Sequence, residues 1–436
     1  MPTTHFLERF FELEKNHTTV RRELLAGVTT FLTMAYIIVV NPQILSQAGM
    51  PAEGVVFATC LASAVATLVM GFYANYPIAL APGMSLNAYF TYSVCLGMHV
   101  PWPTALGAVF LSGVLFVLLT VTKVREQIVN GIPQGLKHAT AGGIGMFIAL
   151  VGLRSAKLVV ANPATLVSLG NFADPQVQAA CIGMILTLAL MVRRVKGAIL
   201  IGILGTTLFG IIRGLSHWPT SLLALPHPSS TFLKLDVRGA LHLGLIEIIF
   251  IFLFVDLFDN VGTMVGVCDQ GGFVKDGKIP RVGRALLADG IGTIFGALTG
   301  TSTVTSYIES AAGVAAGART GLSNVMVAAL FLGAMFFSPV ASAIPAFATA
   351  PALILVGALM TESVAQVDWK EFTEAFPAFV TLITTPLTFS IATGLSLGVI
   401  SYTITKLAAG KYREISALQW VLTVLFIVRY AYLAAG

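Results

Sequence analysis

Long apolar stretches recur along the whole chain and are separated by short polar loops. A helix needs about 20 apolar residues to cross roughly 30 Å of hydrocarbon, so each stretch of this length predicts one transmembrane segment. Fourteen segments are predicted in this way, and they begin near Leu24, Ala52, Ile78, Trp102, Leu136, Gln176, Gly197, Leu241, Val282, Thr303, Leu322, Ile344, Ala375 and Leu395. A further apolar stretch, residues 417–434, contains Arg429 and is predicted either to span the membrane or to lie at its interface.

The composition agrees with a polytopic membrane protein. Of the 436 residues, 56% are hydrophobic and 10% are charged, whereas soluble domains carry about 25% charged residues. The first twenty residues lack a long apolar core, so we expect them to remain as an amphipathic tail and not to be a cleaved signal. The four cysteines stand singly and are interpreted as core residues. The sequence predicts no disulfide, no metal site and no cofactor.

Basic residues are concentrated in short loops that fall on one predicted face of the membrane. The positive-inside rule places such loops in the cytoplasm, so the sequence predicts a multi-pass protein of the cell membrane with a cytoplasmic N-terminus. These loops account for the net charge of +5, and no nucleic-acid partner is predicted. The loops contain Arg21, Arg22, Lys123, Arg125, Lys137, Arg193, Arg194, Lys196, Lys275, Lys278, Arg281, Arg284, Arg319, Lys370, Lys406, Lys411 and Arg413.

The two halves of the chain resemble each other. The stretch HATAGGIGMFIALVGL (138–153) is similar to FATAPALILVGALM (347–360), and APGMSLNAYF (81–90) is separated from its counterpart TVTSYIESAA (303–312) by about the same number of residues, roughly 210 to 220. Transporters are often built from such duplicated units, and an odd number of segments in each unit forces the copies into opposite orientations. We therefore predict an all-α polytopic fold of about fourteen transmembrane helices, arranged as a 7+7 inverted repeat.

Segments 3 and 10 are poor candidates for continuous, lipid-facing helices. Pro77, Pro82 and Gly83 interrupt segment 3, and segment 10 is rich in Thr and Ser. Non-helical backbone at membrane depth is tolerated only when protein or a water-filled cavity surrounds it. We expect each segment to begin as a short strand and to become a half-helix, near Ser85 in one and near Ser306 in the other. The two antiparallel strands would pair and direct two helix N-termini into one pocket.

Glu309 has two possible roles in that arrangement. Ser306 and Glu309 have the spacing of a capping box, in which the Glu only satisfies a backbone N–H. A carboxylate in the middle of a membrane domain is instead a functional candidate, as a substrate ligand or a proton carrier. Asn87 is expected at the matching position of segment 3.

Asp256 and Asp259 are three positions apart in segment 8, which places them within about 60° on one helix face. No Lys or Arg occurs between Arg238 and Lys275, so nothing local neutralises the two acids. Two buried carboxylates of this kind disfavour each other's ionised form, as a proton-coupling site requires. Hydrogen bonding of a purely structural kind is the alternative.

The absence of several catalytic and nucleotide-binding motifs narrows the range of possible functions. The chain has no Walker motif, no HExxH and no GxSxG, which leaves ion-coupled transport and disfavours an enzyme. An anion transporter or channel on the same architecture could use the two helix ends, but acidic side chains would repel its substrate. An intramembrane aspartyl hydrolase would need paired acids, but its GxGD motif is absent.

The sequence resembles the AzgA-like purine permeases of the nucleobase and ascorbate transporter superfamily, along nearly its whole length. The similar stretches are TTVRRELLAGVTTFLTMAYIIVVNPQIL (18–45), APGMSLNAYF, LFDNVGTMVGV (257–267), GTSTVTSYIESAAGVAAGARTG (300–321) and ATAPALILVGALM. In this resemblance Asp259, Glu309 and Asn87 take the positions of substrate-site residues, and Asp256 matches a second carboxylate present in some members. Ser85 stands where relatives often have Gly.

The resemblance implies a division into domains. A cytoplasmic tail (1–20) precedes a core domain (21–125 and 241–338), a gate domain (126–215 and 339–410), an extracytoplasmic loop (216–240) and a C-terminal apolar helix (411–436). Transport would follow from movement of the core against the gate. The resemblance also implies a homodimer.

The residue types at these positions suit a purine base. Carboxylates accept from ring N–H groups, and an Asn amide both donates and accepts. Aromatic stacking would complete the site, and Phe31, Phe90 and Phe258 are available, although membrane Phe usually serves packing. The sequence thus predicts import of adenine, guanine or hypoxanthine with a proton, with Na⁺ as the alternative coupling ion. It does not distinguish among these bases.

Overall fold

The computed structural model describes residues 2–122, 133–219, 221–225, 230–241, 246–274 and 279–435, with the backbone alone at 2–6, 246, 258, 429 and 432–435. Several residues of the sequence analysis lie outside the described side chains, namely Lys123, Arg125, Phe258, Lys275, Lys278 and Arg429. Their predicted roles therefore stay predictions.

The described chain is largely helical. In chain order the helices are α1 (Pro2–Phe11), α2 (Val20–Met34), α3 (Ile37–Ser46), α4 (Ala52–Val69), α5 (Met84–Ala88), α6 (Trp102–Val121), α7 (Gln134–Ser155), α8 (Pro175–Val192), α9 (Ala198–Ile212), α10 (Val237–Ala240), α11 (Ile246–Gln270), α12 (Val282–Thr299), α13 (Ser310–Ala316), α14 (Leu322–Ala334), α15 (Ser338–Ala343), α16 (Ala346–Met360), α17 (Phe372–Leu387), α18 (Ile391–Ala408) and α19 (Ala417–Ala435). The strands are β1 (Leu80–Pro82), β2 (Val159–Asn162), β3 (Leu166–Leu169) and β4 (Val304–Ser306).

The predicted transmembrane segments correspond to these elements. Ten helical stretches of the described residues are at least 18 residues long and apolar enough to cross a membrane, and α2 and α3 together form the first of them. The remaining four segments are the shorter helices α9 and α17 and the broken segments 3 and 10. The fourteen-segment prediction is therefore confirmed. The apolar stretch after segment 14 forms α19, which leaves its relation to the membrane a prediction.

The chain divides into two compact units, Met1–Val121 with Gly170–Ala352, and Thr122–Leu169 with Leu353–Gly436. The division into core and gate domains that the resemblance implies remains a prediction beside these units. The boundary after Ala352 falls within α16, so this helix contributes to both units.

The first unit contains both broken segments. β1 and β4 pair antiparallel, with Leu80 opposite Ser306, Ala81 opposite Thr305 and Pro82 opposite Val304. The strand side chains are fully buried, as expected for irregular backbone in a membrane protein. Hydroxyl groups of neighbouring helices satisfy part of this backbone: Thr67 of α4 donates to the Leu80 carbonyl, and Thr293 of α12 donates to the Val304 carbonyl. The expected strand pair is therefore present.

The half-helices begin at different distances from their strands. In segment 3, α5 starts at Met84 and continues as a wider π-helix over Tyr89–Gly97. In segment 10, β4 includes Ser306, and α13 starts only at Ser310. The expected start near Ser85 is thus close, and the expected start near Ser306 is four residues too early. A turn over Ile308 and Glu309 makes the difference.

The second unit has an ion-pair cluster and a hairpin. Lys406 of α18 is almost fully buried and pairs with Glu374 at 3.0 Å and with Glu414 at 2.6 Å. The hairpin joins β2 and β3, with Val159 opposite Leu169 and Asn162 opposite Leu166. The sequence analysis does not predict this hairpin. Its two strands are only four residues long, and they directly follow the long apolar helix α7 in the sequence.

Candidate functional site

The strand pair places the two half-helix starts next to each other. Beyond the paired residues, the Gly83 N–H donates to the Thr303 carbonyl at 2.9 Å, and the Tyr307 N–H donates to the Ala79 carbonyl at 3.0 Å. Each strand thus continues its pairing up to the point where its half-helix begins. Side chains that follow the two strands are therefore held at fixed positions.

Ser85 and Glu309 take equivalent places relative to the strands. Ser85 lies three residues after Pro82, and Glu309 lies three residues after Ser306. Asn87, which is expected opposite Glu309, is two residues further along. The equivalence therefore pairs Glu309 with Ser85 and not with Asn87.

Ser85 contacts the first of the predicted acids. Its hydroxyl donates to Asp259 Oδ2 at 3.1 Å. Ser85 is buried, whereas Asp259 on α11 is half-buried. Asp259 therefore combines a fixed position with access from outside the packed interior.

Glu309 is fixed by a tyrosine from segment 1. The Tyr36 hydroxyl donates to Glu309 Oε1 at 2.5 Å, and Tyr36 itself is buried. Glu309 is half-buried and is close enough to Asp259 for the two carboxylates to repel each other. The structure thus brings together Ser85, Asp259 and Glu309.

The capping-box alternative for Glu309 is not realised. Glu309 is itself the N-cap residue of α13, and no side chain caps this helix. The buried Ser306 hydroxyl has no hydrogen-bond partner among the described residues. Glu309 thus makes no reciprocal bond with Ser306.

Asn87 does not take part in the contact between Ser85 and Asp259. Two positions on a helix differ by about 200°, so Asn87 and Ser85 point to nearly opposite sides of α5. Asn87 is fully buried, and its Oδ1 accepts from the Ser302 hydroxyl. Its amide nitrogen has no hydrogen-bond partner in the described part of the chain. Asn87 therefore faces the buried chain segment that leads into β4.

Asp256 is deeper in the protein than Asp259. It is 2% exposed, and its nearest charged neighbours are Asp289 and Asp259. The hydroxyls of Thr293 and Thr305 lie beside its carboxyl group. Asp256 thus belongs to a buried polar group that includes hydroxyls of β4 and α12.

Sequence reasoning missed Asp289, which lies in the middle of α12 and is fully buried. The same criterion that selects Asp256, an acid within an apolar segment, would have found it. Tyr36 and Ser302 were also missed. Their residue types are common in membrane helices, and only the folded chain shows their partners.

The aromatic candidates differ in their surroundings. Phe90 is fully buried and packs with Phe252, their ring centroids 6.4 Å apart. Phe31 makes an edge-to-face contact with Phe331, with centroids 5.2 Å apart. Phe258 lies on α11, but its side chain is outside those described. These contacts give Phe31 and Phe90 packing partners within the unit.

The described acids of the site have no basic partner. The salt bridges of the described residues involve neither Asp256, Asp259 nor Glu309. Among the same residues, no three His, Cys, Asp or Glu side chains are grouped so that they could hold a metal ion. The site's chemistry therefore consists of carboxylates, hydroxyls and an amide.

Comparison with known families identifies the chain. A model of the Permease family matches residues 21–397. The chain belongs to this family of nucleobase and ascorbate transporters. The permease is thus a multi-pass membrane protein, and the predicted family is confirmed.

Two relatives match the permease over almost its full length. A guanine/hypoxanthine permease, PbuO of Bacillus subtilis, is 47% identical over 96% of this chain and 99% of its own. An adenine permease, AdeP of Escherichia coli (strain K12), is 43% identical over 98% of this chain and 97% of its own. The two relatives thus differ in the bases that their names give, at similar distances from the permease.

A solved structure shares the fold. The transmembrane domain of a cyanobacterium bicarbonate transporter, BicA, superposes with a TM-score of 0.63 at 15% identity and covers 86% of the permease and 97% of its own chain. At this identity the likeness concerns the fold alone. The predicted 7+7 inverted repeat is confirmed by it.

Proposed function

We propose that the permease imports a purine base together with a proton. One observation carries the proposal: Asp259 and Glu309, from two distant segments, are both half-buried and lie close together beside the strand pair. The names of the relatives, which are adenine and guanine/hypoxanthine permeases, support a purine as the substrate.

The chemistry of the two acids fits the edge of a base. A purine presents N–H donors on its rings and, in adenine and guanine, on an exocyclic amino group, and each carboxylate oxygen can accept one of them. Ser85 and Tyr36 each occupy one oxygen of one acid, so oxygens remain for the base. Asn87, with Phe90 and Phe258, would complete the site by hydrogen bonding and packing if the half-helices shift during transport.

The coupling proton requires a group that is neutral in one state and charged in another. Asp256, Asp259 and Glu309 lack a basic partner among the described residues, and ionising several neighbouring buried acids at once is costly. We propose that one proton is shared among them and moves with the base. Na⁺ is the less favoured coupling ion.

The remaining features of the proposal follow from the family. The core domain, with both broken segments, would move against the gate domain and expose the site alternately to each side. The permease would lie in the cell membrane with its N-terminus in the cytoplasm, and two copies would form a homodimer.

The site disfavours an anion as the substrate, although a bicarbonate transporter shares the fold. Two acids without a basic partner repel an anion, whereas a neutral base can donate hydrogen bonds to them. Uptake of sulfate or bicarbonate by the same cells would instead support an anion transporter.

The test is uptake of radiolabelled adenine and hypoxanthine in cells that lack their own purine permeases. We expect uptake by the unaltered protein, which stops when the proton gradient is collapsed. Asp259→Asn and Glu309→Gln should each abolish it at unchanged membrane levels. The matched control is Asp269→Asn, which removes the same charge from an exposed position on the same helix. Normal uptake by both site variants would refute the assignment.

A further inference from the structure

Segment 1 is interrupted at the level of the candidate site. The helix stops at Met34 and resumes at Ile37, and Ala35 and Tyr36 lie between the two parts. Tyr36 is 1% exposed, so its hydroxyl needs a partner inside the protein. That partner is Glu309 Oε1, at 2.5 Å.

The Tyr36 hydroxyl is the side-chain donor that the structure shows at Glu309. Two other titratable groups face Glu309, namely Tyr307 and Asp259. The Tyr307 hydroxyl is already used, since it donates to the Pro82 carbonyl at 2.6 Å. Asp259 cannot donate while it is ionised and is held by Ser85. Of these three groups, Tyr36 is therefore the one that donates a hydrogen bond to Glu309.

A second contact fixes the same part of the chain. The Thr33 hydroxyl, one turn before Tyr36, reaches the Glu309 backbone carbonyl at 3.4 Å. The end of α2 thus contacts the backbone of Glu309, and the break that follows it contacts the side chain. Movement of segment 1 would consequently move the carboxylate.

A short O–H···O bond to a carboxylate has two effects. It stabilises the ionised form of the acid and is about twice as strong as a bond between neutral groups. It also holds the carboxylate in one rotamer, whereas an unrestrained Glu side chain loses rotamer entropy when the substrate orders it. Ordering before the substrate arrives improves affinity.

We propose that Tyr36 is a positioning residue for the substrate site: it holds Glu309 in the orientation in which its second oxygen accepts an N–H of the base. This inference rests on the proposed purine transport.

The test is Tyr36→Phe, which removes only the hydroxyl group. Initial rates of hypoxanthine and adenine uptake are measured from low micromolar to millimolar base, at several external pH values. We expect KM to rise about tenfold or more, as for loss of a hydrogen bond to a charged group, while Vmax stays within about twofold. Because the lost bond favoured the carboxylate, the acid limb of the uptake profile should move to higher pH.

Tyr76→Phe is the matched control. Tyr76 is also buried and also donates its hydroxyl to another part of the chain, the Pro280 carbonyl. It has no contact with Glu309 among the described hydrogen bonds. This variant should keep the KM and the pH profile of the unaltered protein.

Three results would overturn the inference. An unchanged KM and pH profile in Tyr36→Phe, with normal uptake by the unaltered protein, refutes Tyr36 alone. A loss of Vmax with a matching loss of thermal stability in detergent would show a merely structural tyrosine. If the unaltered protein takes up no purine, the proposed function fails, and the role of Tyr36 fails with it.

Discussion

Gly83 offers a sharp test of how the strand pair positions the site. It links β1 to α5, and its φ of −72° is one that any residue adopts. A Cβ atom at this position would lie 2.7 Å from Thr305 Cγ2, on the opposite strand. Gly83→Ala is therefore a purely steric change, directed at the spacing between segments 3 and 10.

The expected cost follows from that single contact. Atoms closer than about 3.5 Å repel, and one extra methyl group in a packed interior costs about 1–3 kcal/mol. A shift of the start of α5 should relieve part of this strain. The same shift would move Ser85 away from Asp259. We therefore expect a lower unfolding temperature and a higher KM for base uptake.

A second substitution should reverse the effect. Thr305→Ser removes the Cγ2 methyl group that the new Cβ would meet and keeps the hydroxyl beside Asp256. The double variant should regain most of the lost stability and affinity. The control is Gly333→Ala, since a Cβ there has nothing within 4 Å.

The assay is thermal unfolding in detergent, followed by intrinsic fluorescence, together with uptake kinetics in cells. The reasoning is refuted if Gly83→Ala behaves like Gly333→Ala. It is also refuted if Thr305→Ser fails to improve Gly83→Ala, because the clash would then not be the cause.

Two further predictions concern the site and the second unit. Ser85→Ala removes the hydrogen bond to Asp259 and should raise the uptake KM by up to about tenfold; an unchanged KM would remove Ser85 from the site. Lys406→Met leaves Glu374 and Glu414 without their shared cation and should destabilise the protein by about 1–3 kcal/mol, measured as a lower unfolding temperature. Lys411→Met breaks a more exposed pair with Glu371 and should lower the unfolding temperature much less, because exposed ion pairs contribute little to stability; equal losses in the two variants would contradict this difference in burial.

The sequence predicted the membrane segments well, because a bilayer imposes one length and one polarity on every span. It also predicted the strand pair, since Pro82 and the Thr-rich stretch before Ser306 are incompatible with continuous helices in lipid. These features are local, because each can be predicted from about twenty consecutive residues.

Contacts between distant segments were not predictable in the same way. Tyr36 and Glu309 are far apart in sequence, and nothing in TMAYIIV marks its tyrosine as a partner of an acid. Asn87 was expected opposite Glu309, but the strand register gives that place to Ser85. The register depends on backbone pairing, and a displacement of two residues leaves the sequence pattern unchanged.

The most direct test of the account is a structure of the protein with hypoxanthine or adenine bound. The account predicts a base beside the strand pair, with its N–H groups within hydrogen-bonding distance of the Asp259 and Glu309 carboxylates. A base bound elsewhere, or no binding at millimolar concentration, would contradict it.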